Sequence, residues 1–224
     1  MVDRKKIQGR SSCHISWDYT ASHLVVVSYW DSKLTTFPVD EEGMVGEAVE
    51  VWSQPGAEYV DTHRPDRWEH LAHRQRWPHL HQVNQEPGRR MFLVPDLGQD
   101  QLQCFRIERG QISHLGSHQL RPGAGPRHLE FNKHTTVLYI CGELDNTVTV
   151  LHYNTDLVDL VMAGNYRGDL ASEERSLVRH LQTVSTLPHG LTSKSTIAEM
   201  RLHPSGRLRN ISSLIRNISN KNIF

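Results

Sequence analysis

Seven side chains in this sequence have the types from which an anion-binding, acid–base site is built: His79, His81, Arg127, His128, Glu143, Glu199 and Arg201. A guanidinium is a planar, bidentate donor suited to carboxylate or phosphate. An imidazole titrates near neutrality and can move a proton. An arginine among them is therefore a candidate anion holder, and the histidines and glutamates are candidate acid/base groups. Each has a structural alternative. Arg127 and Glu143 can be an ion pair between neighbouring loops, and His79, after Pro78, can be a hydrogen-bonded turn residue. Glu199 and Arg201 stand two apart, so on a strand they share a side and can pair with neighbours. His79-Leu-His81 also has a strand spacing for two metal ligands. A zinc site needs a third, and His63, His70 and His73 lie nearby. The segment has no other ligand-like organisation, so no metal is expected. Gly123-Ala-Gly125-Pro precedes a strand rather than a helix, which excludes a phosphate cradle. No Gly-x-Ser-x-Gly elbow is present.

The elements that would position these groups come from an internal repeat. Gly125-Pro-Arg-His-Leu-Glu-Phe131 leads into Val137-Leu-Tyr-Ile140, Gly142-Glu-Leu144 and Thr147-Val-Thr-Val-Leu151. The same order occurs at His79–Phe105 and at Cys13–Phe37, and a fourth copy opens at Ala198-Glu-Met-Arg-Leu202. His14 to Trp30, His81 to Leu97 and His128 to Leu144 are each 16 positions apart. The runs favour Val, Ile, Thr, Tyr and Phe and are broken by Gly, Asp and Asn, which predicts short strands joined by tight turns. Copies begin 67, 47 and 71 residues apart. The shortest interval fits one four-stranded propeller blade of roughly 40–50 residues. A single copy cannot bury both faces of its sheet, so copies must pack on one another. His14, His81 and His128 share one repeat position, which argues for a structural role in each blade. Trp52–Pro78 is polar and rich in His, Arg and Trp, and is expected to be an insertion. Leu170, Leu177, Val178 and Leu181 fall at helical spacing, which predicts a surface helix over 169–181.

Composition narrows the function. The 224 residues carry a formal net charge of +0, with a pI near 7.3, so there is no electrostatic footprint for nucleic acid. No run approaches the roughly 20 apolar residues that span a bilayer. The first eight residues lack the apolar stretch of a signal peptide. Cys13, Cys104 and Cys141 sit in predicted strands and are expected to be buried thiols in a reducing, cytoplasmic compartment.

Several motifs in order resemble a known family. Arg121-Pro-Gly-Ala-Gly-Pro-Arg-His-Leu-Glu-Phe131 with Cys141–Val150, Pro78-His-Leu-His with Val94-Pro-Asp-Leu-Gly-Gln-Asp100, and Ala198–Gly206 are similar to the lactonase family of seven-bladed β-propellers. That family includes propeller-type 6-phosphogluconolactonases and fungal carboxy-muconate lactonising enzymes. The resemblance covers roughly residues 9 to 207. It implies an all-β fold, a β-propeller of the seven-bladed lactonase type with only about four blades represented in this chain. One incomplete domain over 1–224 is expected, with a divergent tail at 208–224. The resemblance implies hydrolysis of a sugar lactone such as 6-phosphogluconolactone, with no cofactor and a small anionic lactone as partner. It points to His79, Arg127 and Glu143 as catalytic, with Arg127 to bind the anionic group and Glu143 and His79 as the acid/base pair, while the family's further arginine falls at Leu214. His81, His128, Glu199 and Arg201 are the expected substrate-binding residues. The alternatives are a carboxy-muconate-type cycloisomerase and a catalytically inactive propeller fragment acting as a binding module. The oligomeric state is left open.

Overall fold

The computed structural model describes residues 4–57, 74–132, 134, 136–164, 176–189, 195–203 and 208–215. Each complete repeat folds as four strands rather than the two or three that the apolar runs suggest. The first sheet runs β1 (Ser12–Trp17), β2 (His23–Ser28), β3 (Lys33–Pro38) and β4 (Glu50–Ser53). The second runs β5 (Asn84–Gln85), β6 (Phe92–Asp96), β7 (Gln101–Glu108) and β8 (Gln111–Gln119). The third runs β9 (Pro126–Phe131), β10 (Val137–Gly142), β11 (Thr147–Tyr153) and β12 (Val178–Ser185). β13 (Ser195–Leu202) and β14 (Leu208–Ile215) form a two-stranded sheet. All neighbours are antiparallel and follow chain order, so each sheet is a meander.

Turn chemistry sets the meander. The connection before the third strand of each four-stranded sheet ends on a residue with positive φ: Ser32 (47°), Asp100 (53°) and Asn146 (55°). Asp and Asn tolerate that region better than most side chains, which makes these positions the repeat's punctuation.

Strand sequence then decides how sheets stack. Along β6 and the residue before it, Met91 and Leu93 at alternate positions enter one apolar cluster, while Phe92 and Val94 enter another. The first cluster joins the second sheet to Leu129, Leu138, Ile140 and Leu151 of the third. The other joins it to Val25, Val27 and Leu34 of the first. β10 repeats this device: Leu138 and Ile140 face the second sheet, while Tyr139 and Cys141 face Ile197 and Met200 of β13. A strand between two sheets must be apolar on both faces, which is why these runs are continuous rather than alternating. Burial of each such Leu or Phe stabilises by about 1.5–3 kcal/mol. The arrangement is that of successive propeller blades.

Three expectations change. The predicted helix over 169–181 is not formed where residues are described. Residues 165–175 lie outside the described set, and 178–185 form β12. Strand pairing with β11 from Thr147↔Ser185 to Tyr153↔Val178 satisfies backbone groups that a helix there would leave open on the β11 edge. A helix forms upstream instead, as α1 (Thr155–Met162). Asn154 caps it by accepting from the Leu157 N–H at 3.1 Å, and Leu157, Val158 and Val161 bury one side against the core. Trp52 belongs to β4, not to an insertion, and its ring packs edge-on against Phe105 at 4.7 Å. Of the cysteines, Cys104 and Cys141 are buried, whereas Cys13 is exposed as a residue although its Sγ turns inward to the His81 carbonyl oxygen at 3.1 Å. Within the expected divergent tail, residues 208–215 form β14 beside β13, and 216–224 lie outside the described residues.

Candidate active site

Three sheets place polar side chains at the ends of their second strands. His79, ahead of β5, is fixed by one of them. Its N–H donates to Asp96 Oδ1 at 2.8 Å, and the same oxygen accepts from the N–H groups of Gly98 (3.0 Å) and Gln99 (3.1 Å). The Leu97 N–H returns a bond to the His79 carbonyl at 2.9 Å. Gly98 is required here, because a Cβ would lie 1.7 Å from the Trp77 carbonyl oxygen. The turn at Asp96–Gly98 is thus clamped to the segment that carries the site. Burial and the neighbouring Asp100 push the Asp96 carboxyl up, to about 6 in all, against the pull of its three N–H donors.

The His79 ring is 1% exposed and stacks on Tyr29, with centroids 4.5 Å apart and planes 10° from parallel. Its Nδ1 lies 3.2 Å from the Tyr29 carbonyl oxygen. A carbonyl only accepts, so Nδ1 carries the proton and Nε2 holds the lone pair. Burial lowers this imidazole to about 4, so it is neutral at neutral pH.

Glu143, 3% exposed, lies just after β10. One carboxylate oxygen contacts Nη1 of Arg127 and the other contacts Nη1 of Arg74. Arg127 is on β9, and its Nε donates to the Ala198 carbonyl at 2.6 Å. Arg74 donates through Nη2 (2.7 Å) and Nε (3.1 Å) to the Tyr29 hydroxyl. Two guanidiniums share one carboxylate, which leaves the cluster with one surplus positive charge. Nη2 of Arg127 makes no hydrogen bond among the described residues.

His81 and His128 flank this cluster, with ring centroids 5.3 Å apart. His14 lies 6.5 Å from His128. The Nδ1 atoms of His81 and His128 are buried without a partner among the described residues. Burial first, then the charge of Arg127, lowers His81 to about 2 and His128 to about 4. His14 is lowered by burial and then by Arg201. The three histidines of one repeat position thus meet as neutral rings. Arg201 donates to Glu199 at 2.7 Å and to Glu130 at 3.2 Å. This more exposed group sits beside the histidines and not on the Glu143 cluster.

The structure therefore brings His79, His81, Arg127, His128 and Glu143 together and sets Glu199 and Arg201 at the margin. Sequence reasoning missed Tyr29 and Arg74. Tyr29 was findable, because it occupies the repeat position of Asp96 and Glu143, one residue before Trp30, Leu97 and Leu144. Arg74 carries no repeat signal, since it lies in the His- and Arg-rich insertion. His63, His70 and His73 lie outside the described residues, and among those described no three metal-binding side chains converge.

Comparison with known proteins agrees with this architecture. The model of the family "Lactonase, 7-bladed beta-propeller" matches residues 1–214. The 6-phosphogluconolactonase of Bacillus subtilis is 29% identical over 206 residues, covering 92% of this chain and 50% of that protein. The 6-phosphogluconolactonase of Erwinia tasmaniensis is 27% identical and covers 96% of this chain and 52% of its own length. The chain thus spans about half the length of the curated relatives it matches. The solved periplasmic gluconolactonase of Pseudomonas aeruginosa superimposes with a TM-score of 0.69 at 22% identity, over 93% of this chain and 52% of that one. With three meandering four-stranded blades, a fourth begun by β13 and β14, and a family match over nearly its whole length, the chain belongs to the lactonase family of seven-bladed β-propellers.

Proposed function

We propose that this chain carries the catalytic blades of a lactone hydrolase whose substrate is 6-phosphogluconolactone and whose product is 6-phosphogluconate. The observation that carries the reading is the Arg74–Glu143–Arg127 cluster, one positive charge in excess, beside a neutral histidine of defined tautomer. Arg127 holds the anionic group of the substrate through its unengaged Nη2. His79 takes a proton from the attacking water at Nε2, with Nδ1 anchored on the Tyr29 carbonyl. Glu143 is engaged by two guanidiniums, so in this reading it orients them and does not act as the base. His81 and His128 line the sugar portion, and Glu199 and Arg201 border it. The relatives' names support the substrate. The pentose phosphate pathway and a cytoplasmic location go with that substrate.

The test is hydrolysis of 6-phosphogluconolactone by the purified chain, with a thermal melt of the same sample. The expected outcome is enzyme-dependent hydrolysis that Arg127→Ala removes while the variant still melts cooperatively. A cooperatively folded chain with no hydrolysis would overturn the reading in favour of a catalytically silent binding module.

A further inference from the structure

We propose that Tyr29 is the proton donor to the leaving alkoxide, a role that rests on the lactonase reading above. Tyr29 is 7% exposed and stands just after β2. Its hydroxyl oxygen accepts two N–H bonds from Arg74, at 2.7 and 3.1 Å. Its own O–H has no acceptor among the described residues. An Arg74 guanidinium beside a phenol stabilises the phenolate that proton donation leaves behind. Burial meanwhile holds the phenol above its ordinary range, so at neutral pH it is charged with a proton and suited to act as an acid rather than a base. The ring lies flat on His79, so the group that takes the proton from water and the group that gives one to the leaving oxygen are in contact.

The step balances. Water attacks the lactone carbonyl carbon, a C–O bond forms, and its proton passes to His79 Nε2. The tetrahedral oxyanion collapses and breaks the bond from that carbon to the ring oxygen. The ring oxygen leaves with the proton of the Tyr29 hydroxyl. The tyrosinate is held by the two Arg74 donors until the proton on His79 returns to it through solvent. The products are the open hydroxy acid and the starting protonation states. Arg74 acts through Tyr29 and is a positioning residue.

Tyr29→Phe keeps the ring and removes the proton. The expected result is a fall in kcat for 6-phosphogluconolactone of roughly 10²-fold or more. The affinity for 6-phosphogluconate, measured calorimetrically, stays unchanged. The deciding readout is leaving-group dependence. A phenyl ester of 6-phosphogluconate departs as a phenoxide that needs no protonation, so the loss on it should be at least about tenfold smaller than on the lactone. That ratio does not depend on how much of the variant is folded. Equal losses on both substrates, or lactone hydrolysis at the wild-type rate, would overturn the assignment while leaving the lactonase reading intact. Absence of hydrolysis by the wild-type chain would defeat the lactonase reading and this inference with it.

Discussion

Removing Glu143 should destabilise the protein, and inorganic phosphate should restore much of what is lost. Among the described residues, Glu143 is the only anion in contact with both Arg74 Nη1 and Arg127 Nη1, and it is nearly enclosed, while the two guanidiniums are 20% and 23% exposed. Breaking a buried ion pair by deleting one partner costs about 3–5 kcal/mol. The partial exposure of both arginines puts Glu143→Ala at the lower end, ~3 kcal/mol. In a chain of this size each kcal/mol is worth about 2–4 °C, so the Tm should fall by roughly 6–12 °C. Phosphate can take the place of the lost carboxylate between the two guanidiniums. At a hundred times its Kd it contributes about 2.7 kcal/mol, close to the whole deficit. The assay is thermal unfolding of wild type and variant across a phosphate titration, with sodium chloride at matched ionic strength as the control. A Tm unchanged within about 2 °C would refute the claim that Glu143 holds the pair together. A phosphate effect of equal size in the wild type would refute the claim that an anion replaces the carboxylate.

Two further outcomes follow from the same geometry. The folded-state pKa of His79 and of His128, about 4, lies below the ordinary 6.5. A depressed imidazole contributes stability that is present above its unfolded value and is lost as pH falls through the folded one. Stability should therefore decline between pH 6.5 and 4, and His128→Gln should flatten that decline in melts taken across the range. Asp96, raised to about 6 from 3.8, works in the opposite direction, with stability present below about 4 and lost as pH rises through about 6. It will partly mask the histidine effect, and an Asp96→Asn background should steepen it. Gly98→Ala should push its new methyl into the Trp77 carbonyl, displacing the segment that carries Arg74 and His79. Lactone hydrolysis should then fall at least tenfold, and unimpaired activity in a folded variant would show that the turn does not position the site.

The parts of this molecule that were legible in the sequence are those written more than once. The spacing of 16 residues from His14, His81 and His128 to Trp30, Leu97 and Leu144 marks three first-to-second strand units in the sequence alone. Arg127 and Glu143 were legible as a pair because they sit at fixed places within one unit. The outermost strands were not. β12 carries only one buried residue, Val178, and otherwise faces solvent, so its sequence is free of the strand pattern and even imitates a helix. Arg74 was unreadable for a different reason. It reaches Glu143 across 69 residues of chain, from an insertion with no periodicity, and only packing reveals which of several nearby arginines arrives.

One repeat position shows how similar four-stranded sheets come to carry different side chains at one place. The residue at the end of the second strand or just after it is Tyr29 in the first sheet, Asp96 in the second and Glu143 in the third. Backbone geometry delivers all three to equivalent places, yet each does something different. Asp96 turns into its own sheet, spends one oxygen on three backbone donors and fixes the segment bearing His79. Glu143 and Tyr29 meet the two sides of one guanidinium, Arg74. A position used only for structure would tolerate the same residue in every copy, since the local turns are alike. Three different side chains on one backbone template, converging on a shared arginine and a shared histidine, argue that the template supplies the placement and the individual residues supply the function.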